Sequence, residues 1–131
     1  MIKKIVLGVL LLPLPAVAGL ADYGNWCGAN NTREDRNYPV KDQIDAVCRK
    51  HDLCIRDNGY HKCSCDADFI QGMQKARASS DESERYKIAA IGAFKVKPCE
   101  CRHKSCIRLC NLRGCWYECN WITTPGMGGS C

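Results

Sequence analysis

The run Cys48-Arg49-Lys50-His51-Asp52-Leu53-Cys54 holds the densest chemistry in the chain. A histidine titrates near neutral pH and can take a proton from water. The carboxylate beside it is a hard oxygen donor suited to calcium, whose shell also accepts backbone carbonyls. The glycine-containing stretch Tyr23–Asn31 offers such carbonyls. A second carboxylate, Asp66, follows Cys65. If Cys54 and Cys65 are bonded, Asp66 comes within reach of the imidazole and sets its tautomer, as the orienting acid does in a catalytic triad. Each piece also has an ordinary reading: a His-Asp dipeptide on a solvated helix face, a Gly beside a cysteine in a turn, an Asp at a helix start. The Cys-x-Cys pairs Cys63/Cys65 and Cys99/Cys101, near His61 and His103, carry a different chemistry, a zinc cluster. An oxidising compartment favours disulfides over zinc thiolates.

Helices must position these groups. Lys41–Arg56 places Ile44, Val47, Cys48, Leu53, Cys54 and Ile55 on a helical face, and Asn58-Gly59 ends it. Cys63–Ala78 forms a second helix with an apolar face of Phe69, Ile70, Met73 and Ala76. Ser79–Glu84 is a polar break whose Asp81-x-x-Glu84 starts a third helix through about Phe94, before Pro98. Ala21–Pro39 reads as an irregular loop. From Cys99 the texture changes, with seven cysteines to the end. Cys106-x-x-x-Cys110 and Cys115-x-x-x-Cys119 put each pair on one face of a helix. They can staple a short helical hairpin, Cys106 to Cys119 outside and Cys110 to Cys115 inside; a cysteine-rich β-hairpin fits almost as well.

Composition narrows the class. A chain of 131 residues with 12 cysteines is a disulfide scaffold rather than a large cytosolic enzyme, a membrane transporter or a disordered tail. Residues 1–18 combine Lys3-Lys4, an apolar run from Ile5 to Leu14 and Ala16-Val17-Ala18, the pattern of a secretory signal peptide. The run is too short to span a bilayer and is broken by Pro13 and Pro15. The sequence thus implies a secreted, extracellular protein with no integral membrane span. Its apolar core is thin, so crosslinks must compensate. The net charge of +5, two units of it in the signal, is weak for nucleic acid.

Together, the loop Tyr23-Gly24-Asn25-Trp26-Cys27-Gly28, the run Asp42-x-x-Asp45-x-x-Cys48-x-x-His51-Asp52-x-Cys54 and Cys63-x-Cys65-Asp66 resemble the secreted phospholipases A2. The resemblance runs from Tyr23 to about Phe69. It implies an all-α, small, disulfide-rich fold: two antiparallel disulfide-linked helices with a calcium loop, plus a cysteine-rich tail. The implied organisation is a signal peptide at 1–18, a catalytic core with an extra helix at 19–95 and a cysteine-rich basic tail at 96–131. The implied activity is calcium-dependent hydrolysis of the sn-2 ester of glycerophospholipids at a membrane or micelle surface, by a monomer. In the implied roles, His51 deprotonates water and Asp66 is its hydrogen-bonded acid. Asp52 and the carbonyls of Trp26, Gly28 and Asn30 hold Ca2+, and the Gly28 N–H serves the oxyanion. Cys27–Cys48 and Cys54–Cys65 are the implied disulfides.

Several residues depart from the family pattern. Ala29-Asn30-Asn31 replaces further glycines, and Asn30-Asn31-Thr32 is a glycosylation sequon. Val47 stands where many relatives have cysteine. Ile55 stands where they have a tyrosine supporting the second acid, with Tyr60 a candidate substitute. The usual amphipathic N-terminal helix is missing. With the four implied partners assigned, Cys63 is expected to reach the tail, because Ile55–His61 has no cysteine. The tail carries Lys95, Lys97, Arg102, Lys104, Arg108 and Arg113 against two acidic residues. It also carries Trp116, Tyr117 and Trp121, a set suited to anionic headgroups. On the competing reading, the aromatics fill a small disulfide core and the charges are solvated. The rival function is a secreted binding protein or toxin that keeps the scaffold without catalysis.

Overall fold

A computed structural model describes residues 21–29, 31 and 33–131. The signal-peptide segment and Asn30 lie outside the described residues.

Helix α1 spans Gln43–Asn58. The Asp42 side chain caps it by accepting from the Asp45 N–H at 2.9 Å, which satisfies one of the free donors of the first turn. Gly59, at φ 72°, ends the helix in the left-handed conformation. Helix α2 spans Cys63–Lys75, and Cys54–Cys65 ties it to α1. Helix α3 spans Asp81–Lys95. Its capping box uses Ser80 and Ser83 rather than Asp81 and Glu84. Those two acids sit in the first turn, where they favour the positive end of the helix dipole.

The three helices enclose a small core of Tyr23, Trp26, Ile44, Phe69, Met73, Tyr86 and Ala90. A second cluster consists of sulfur: Cys63, Cys99 and Cys101 are buried together. They belong to the bond Cys63–Cys99, which fastens the last segment to the start of α2, and to Cys101–Cys131, which ties Cys131 back to that segment. Glu100 N–H also donates to the His61 carbonyl at 2.8 Å. Cys63 therefore does reach the tail.

The all-α expectation is wrong. Strands β1 (Pro98–Asn111) and β2 (Gly114–Met127) form a two-stranded antiparallel sheet beside the three helices. The cysteine spacing misled because i and i+4 share a face in a helix and also in a strand. Cys106–Cys119 and Cys110–Cys115 are both bonded, but as rungs between directly opposed strand residues. Ile107, Trp116, Tyr117, Ile122, Thr123 and Thr124 favour the strand on propensity. A lone hairpin is marginal in water, and here two covalent rungs replace a core. The tail aromatics fill no disulfide core either: Tyr117 is 68% and Trp121 71% exposed. Among the described residues, no helix is long and apolar enough to cross a membrane.

Candidate active site

Helical periodicity puts Asp45, Cys48 and Asp52 on one side of α1. The first two hold the Tyr23–Gly28 loop there. Asp45 is fully buried. It accepts from the backbone N–H of Asn25 at 3.0 Å, Trp26 at 2.7 Å and Lys41 at 2.8 Å. Cys48 is bonded to Cys27. Gly28 has φ +104°, and a Cβ there would lie 2.0 Å from Asp22 Oδ1. Only glycine fits that backbone. Asn31 closes the loop from the far side, its side-chain amide donating to the Cys27 carbonyl at 2.7 Å.

One turn beyond Cys48, His51 and Asp52 face a cleft of ≈330 Å³ that Trp26 and Gly28 also line. His51 Nε2 lies 2.7 Å from Asp66 Oδ1. A carboxylate only accepts, so Nε2 carries the proton and Nδ1 holds the lone pair. Nδ1 is 3.8 Å from Asp52 Oδ1. The rings of Phe69 and Phe94, each 5.1 Å from the imidazole, fix its plane.

Charge tunes this pair. Burial pushes the His51 pKa down, but attraction from Asp52 and Asp66 outweighs it, and the net shift is upward from 6.5. Burial pushes the Asp66 carboxyl up, and the hydrogen bonds from His51 and Lys97 hold it below its ordinary value. Lys97 Nζ donates to Asp66 Oδ2 at 2.8 Å. Tyr86, also lining the cleft, is pushed up to about 12 by burial and by the nearby charges of Asp52, Asp22 and Asp45. It stays a neutral donor across the working pH range.

The structure thus brings Trp26, Gly28, His51, Asp52 and Asp66 to one place. Tyr60 is not part of it: Tyr60 lies under the Arg102 guanidinium, 3.7 Å from its ring centre, and Lys97 fills the role considered for it. Sequence reading missed Asp45 as the loop anchor, although a lone Asp between Ile44 and Cys48 on an inward face was a usable signal. It also missed Lys97 as the partner of Asp66. No local signal existed, because 31 residues separate them.

Two metal chemistries differ in their donors. The Sγ atoms of Cys63, Cys101 and Cys131 lie close together. All three are disulfide-bonded, and no cysteine is free, so the zinc-thiolate reading is overturned. The cleft instead offers the half-exposed Asp52 carboxylate with the loop backbone of Trp26 and Gly28. The Asp52 carboxylate is a hard oxygen donor, while the Gly28 carbonyl accepts the Asn31 N–H at 3.2 Å. Comparison with protein-family models, curated proteins and solved structures finds no match in any of the three, so the geometry alone carries the functional reading.

Proposed function

We propose that this chain is a secreted, calcium-dependent phospholipase A2-like hydrolase acting on the sn-2 ester of glycerophospholipids. One observation carries the reading. The Nε2–Asp66 hydrogen bond of 2.7 Å leaves the basic Nδ1 of His51 for the cleft that Asp52 and the loop also line.

In this reading, His51 Nδ1 takes the proton of a water as its oxygen attacks the ester carbonyl carbon. Asp66 holds the tautomer and stabilises the imidazolium that results. The imidazolium then returns the proton to the leaving alcohol. The Gly28 N–H, held by the Cys27–Cys48 bond and the Asp45 clamp, is a candidate donor to the oxyanion. Asp52 and the Trp26 and Gly28 carbonyls would hold Ca2+, which polarises an ester carbonyl and attracts a phosphate when bound. Six disulfides suit an extracellular setting, where the signal-like segment at 1–18 directs the chain.

The test is release of a labelled sn-2 fatty acid by the oxidised protein, with calcium and with chelator, beside His51→Gln. The wild type with calcium should turn over. His51→Gln and the chelated sample should lose at least about a hundredfold, the scale of a general base. Full activity in His51→Gln sinks the mechanism. Calcium binding without turnover moves the chain to the non-catalytic scaffold.

A further inference from the structure

The β-hairpin contributes nothing to the cleft beyond its base, yet it is the most exposed of the described elements. It is anchored at that base by Cys63–Cys99, Cys101–Cys131 and the Lys62–Glu100 bridge. From Arg102 outward both faces are largely exposed.

Register and strand alternation sort its side chains. Ile107, Leu109, Trp116 and Ile122 share one face. Lys104, Arg108, Tyr117 and Trp121 share the other, with both disulfide rungs. Leu112, fully exposed, and Arg113 form the tip. Two of the three tryptophans of the chain stand here in solvent. Exposed apolar side chains gathered on one element, on both of its faces, are the kind of surface that marks an interaction site.

We propose that the distal half of this hairpin, residues 104–122, is a docking surface for anionic phospholipid membranes. Charge decides the occupant: residues 104–122 carry Lys104, Arg108 and Arg113 and a single acidic residue, Glu118, which lies on the other face from Lys104 and Arg108. Trp and Tyr interleaved with Lys and Arg suit the headgroup layer, where the rings bury their apolar bodies and the cations meet phosphates. The open strand edges keep the backbone out of the hydrocarbon, since their N–H and C=O groups have no partner there. Docking therefore reaches the headgroup level and no deeper. The proposal extends the lipolytic reading to the surface on which it acts, and its readout does not depend on turnover.

The experiment uses the oxidised protein, chelator, and vesicles of ether-linked phosphatidylglycerol or phosphatidylcholine, which have no sn-2 ester. The wild type should sediment with phosphatidylglycerol, with a salt-sensitive affinity, and at least tenfold less with phosphatidylcholine. Replacing Lys104, Arg108 and Arg113 together by glutamine should weaken binding about a hundredfold. Leu112→Ser with Trp116→Ser should weaken it about tenfold or more. Intact mass and the thermal transition check that both variants keep the fold. In the wild type, tryptophan emission should shift to the blue on vesicle addition, because Trp26 is already buried and only Trp116 and Trp121 can respond. Equal binding to both lipids, no binding to phosphatidylglycerol, or variants that bind like the wild type would each overturn the proposal. So would a wild-type dimer that the Leu112/Trp116 variant dissociates, with no vesicle binding. Vesicle binding without sn-2 hydrolysis removes only the enzymatic reading.

Discussion

Replacing Asp45 by asparagine removes one charge and changes almost no volume, so it isolates the clamp on the loop. In the wild type both carboxylate oxygens receive the Asn25 N–H at 3.0 Å, and each takes a further backbone donor, Trp26 at 2.7 Å and Lys41 at 2.8 Å. Hydrogen bonds to a charged acceptor contribute about 1.5–3 kcal/mol each, and a buried donor left alone costs about 1–3 kcal/mol. The amide keeps one acceptor oxygen and turns an NH2 toward the remaining donor. One bond is lost outright and the others fall to neutral strength, which together costs about 3 kcal/mol. In urea, with disulfides intact, that lowers the unfolding midpoint by about 2 M. The exposed Asp57→Asn, which breaks only the surface pair with Arg36, serves as control and should leave the midpoint unchanged. Calcium titration of the same Asp45 variant should show at least tenfold weaker binding, because the Trp26 and Gly28 carbonyls lose their fixed positions. A midpoint shift below about 0.5 M with undiminished calcium affinity refutes the clamp.

Further outcomes follow from the same geometry. In calcium-free protein, the His51 imidazole should titrate above 6.5 by proton NMR. Its raised value adds stability that is complete below the unfolded pKa and is lost as pH rises through the folded one. Asp66, held below 3.8, adds stability present above that value and lost as pH falls through the lowered pKa. Lys97→Met removes the cation that donates to Asp66 Oδ2, so the Asp66 charge acts on the imidazole uncompensated and the His51 titration should move up. An unchanged or lower His51 value contradicts the Lys97–Asp66–His51 linkage. Gly28→Ala should weaken calcium binding and loop protection in hydrogen exchange while leaving α3 protected, because its Cβ meets Asp22. Serine at Cys106 and Cys119 should raise amide exchange across residues 104–121 alone, since this rung lies beyond the bonds at the hairpin base; faster exchange in α1 counts against hairpin autonomy.

Much of the site was legible because its information is local. His51 and Asp52 are adjacent, Cys48 lies one turn back, and Asp66 follows a cysteine that bonds to α1. Helical period, with the Cys54–Cys65 bond that the resemblance implies, therefore bounds their separations before any fold is known. The helices themselves were readable within a few residues, from apolar faces, Asn58-Gly59 and the polar break at Ser79–Glu84. Local order ran out where one pattern serves two periods. Cys106 and Cys110 share a face in a helix or a strand, and only the opposed register with Cys119 and Cys115 made the tail a sheet.

Asp66 shows the other limit. Its sequence neighbours give no hint of Lys97, which reaches it where Cys63–Cys99 fastens the segment after α3 to the start of α2. The exposure of Trp116, Tyr117 and Trp121 was equally undetermined, since a sequence states which side chains are apolar and not whether the rest of the chain covers them. The sequence by itself determined that the chain is a cysteine-crosslinked scaffold with three helices, and that His51, Asp52 and Asp66 are its candidate reacting groups, through composition and spacings of a few residues. Tertiary structure decided which distant charge tunes Asp66 and which apolar face faces solvent, because both depend on how disulfides fold the chain back on itself.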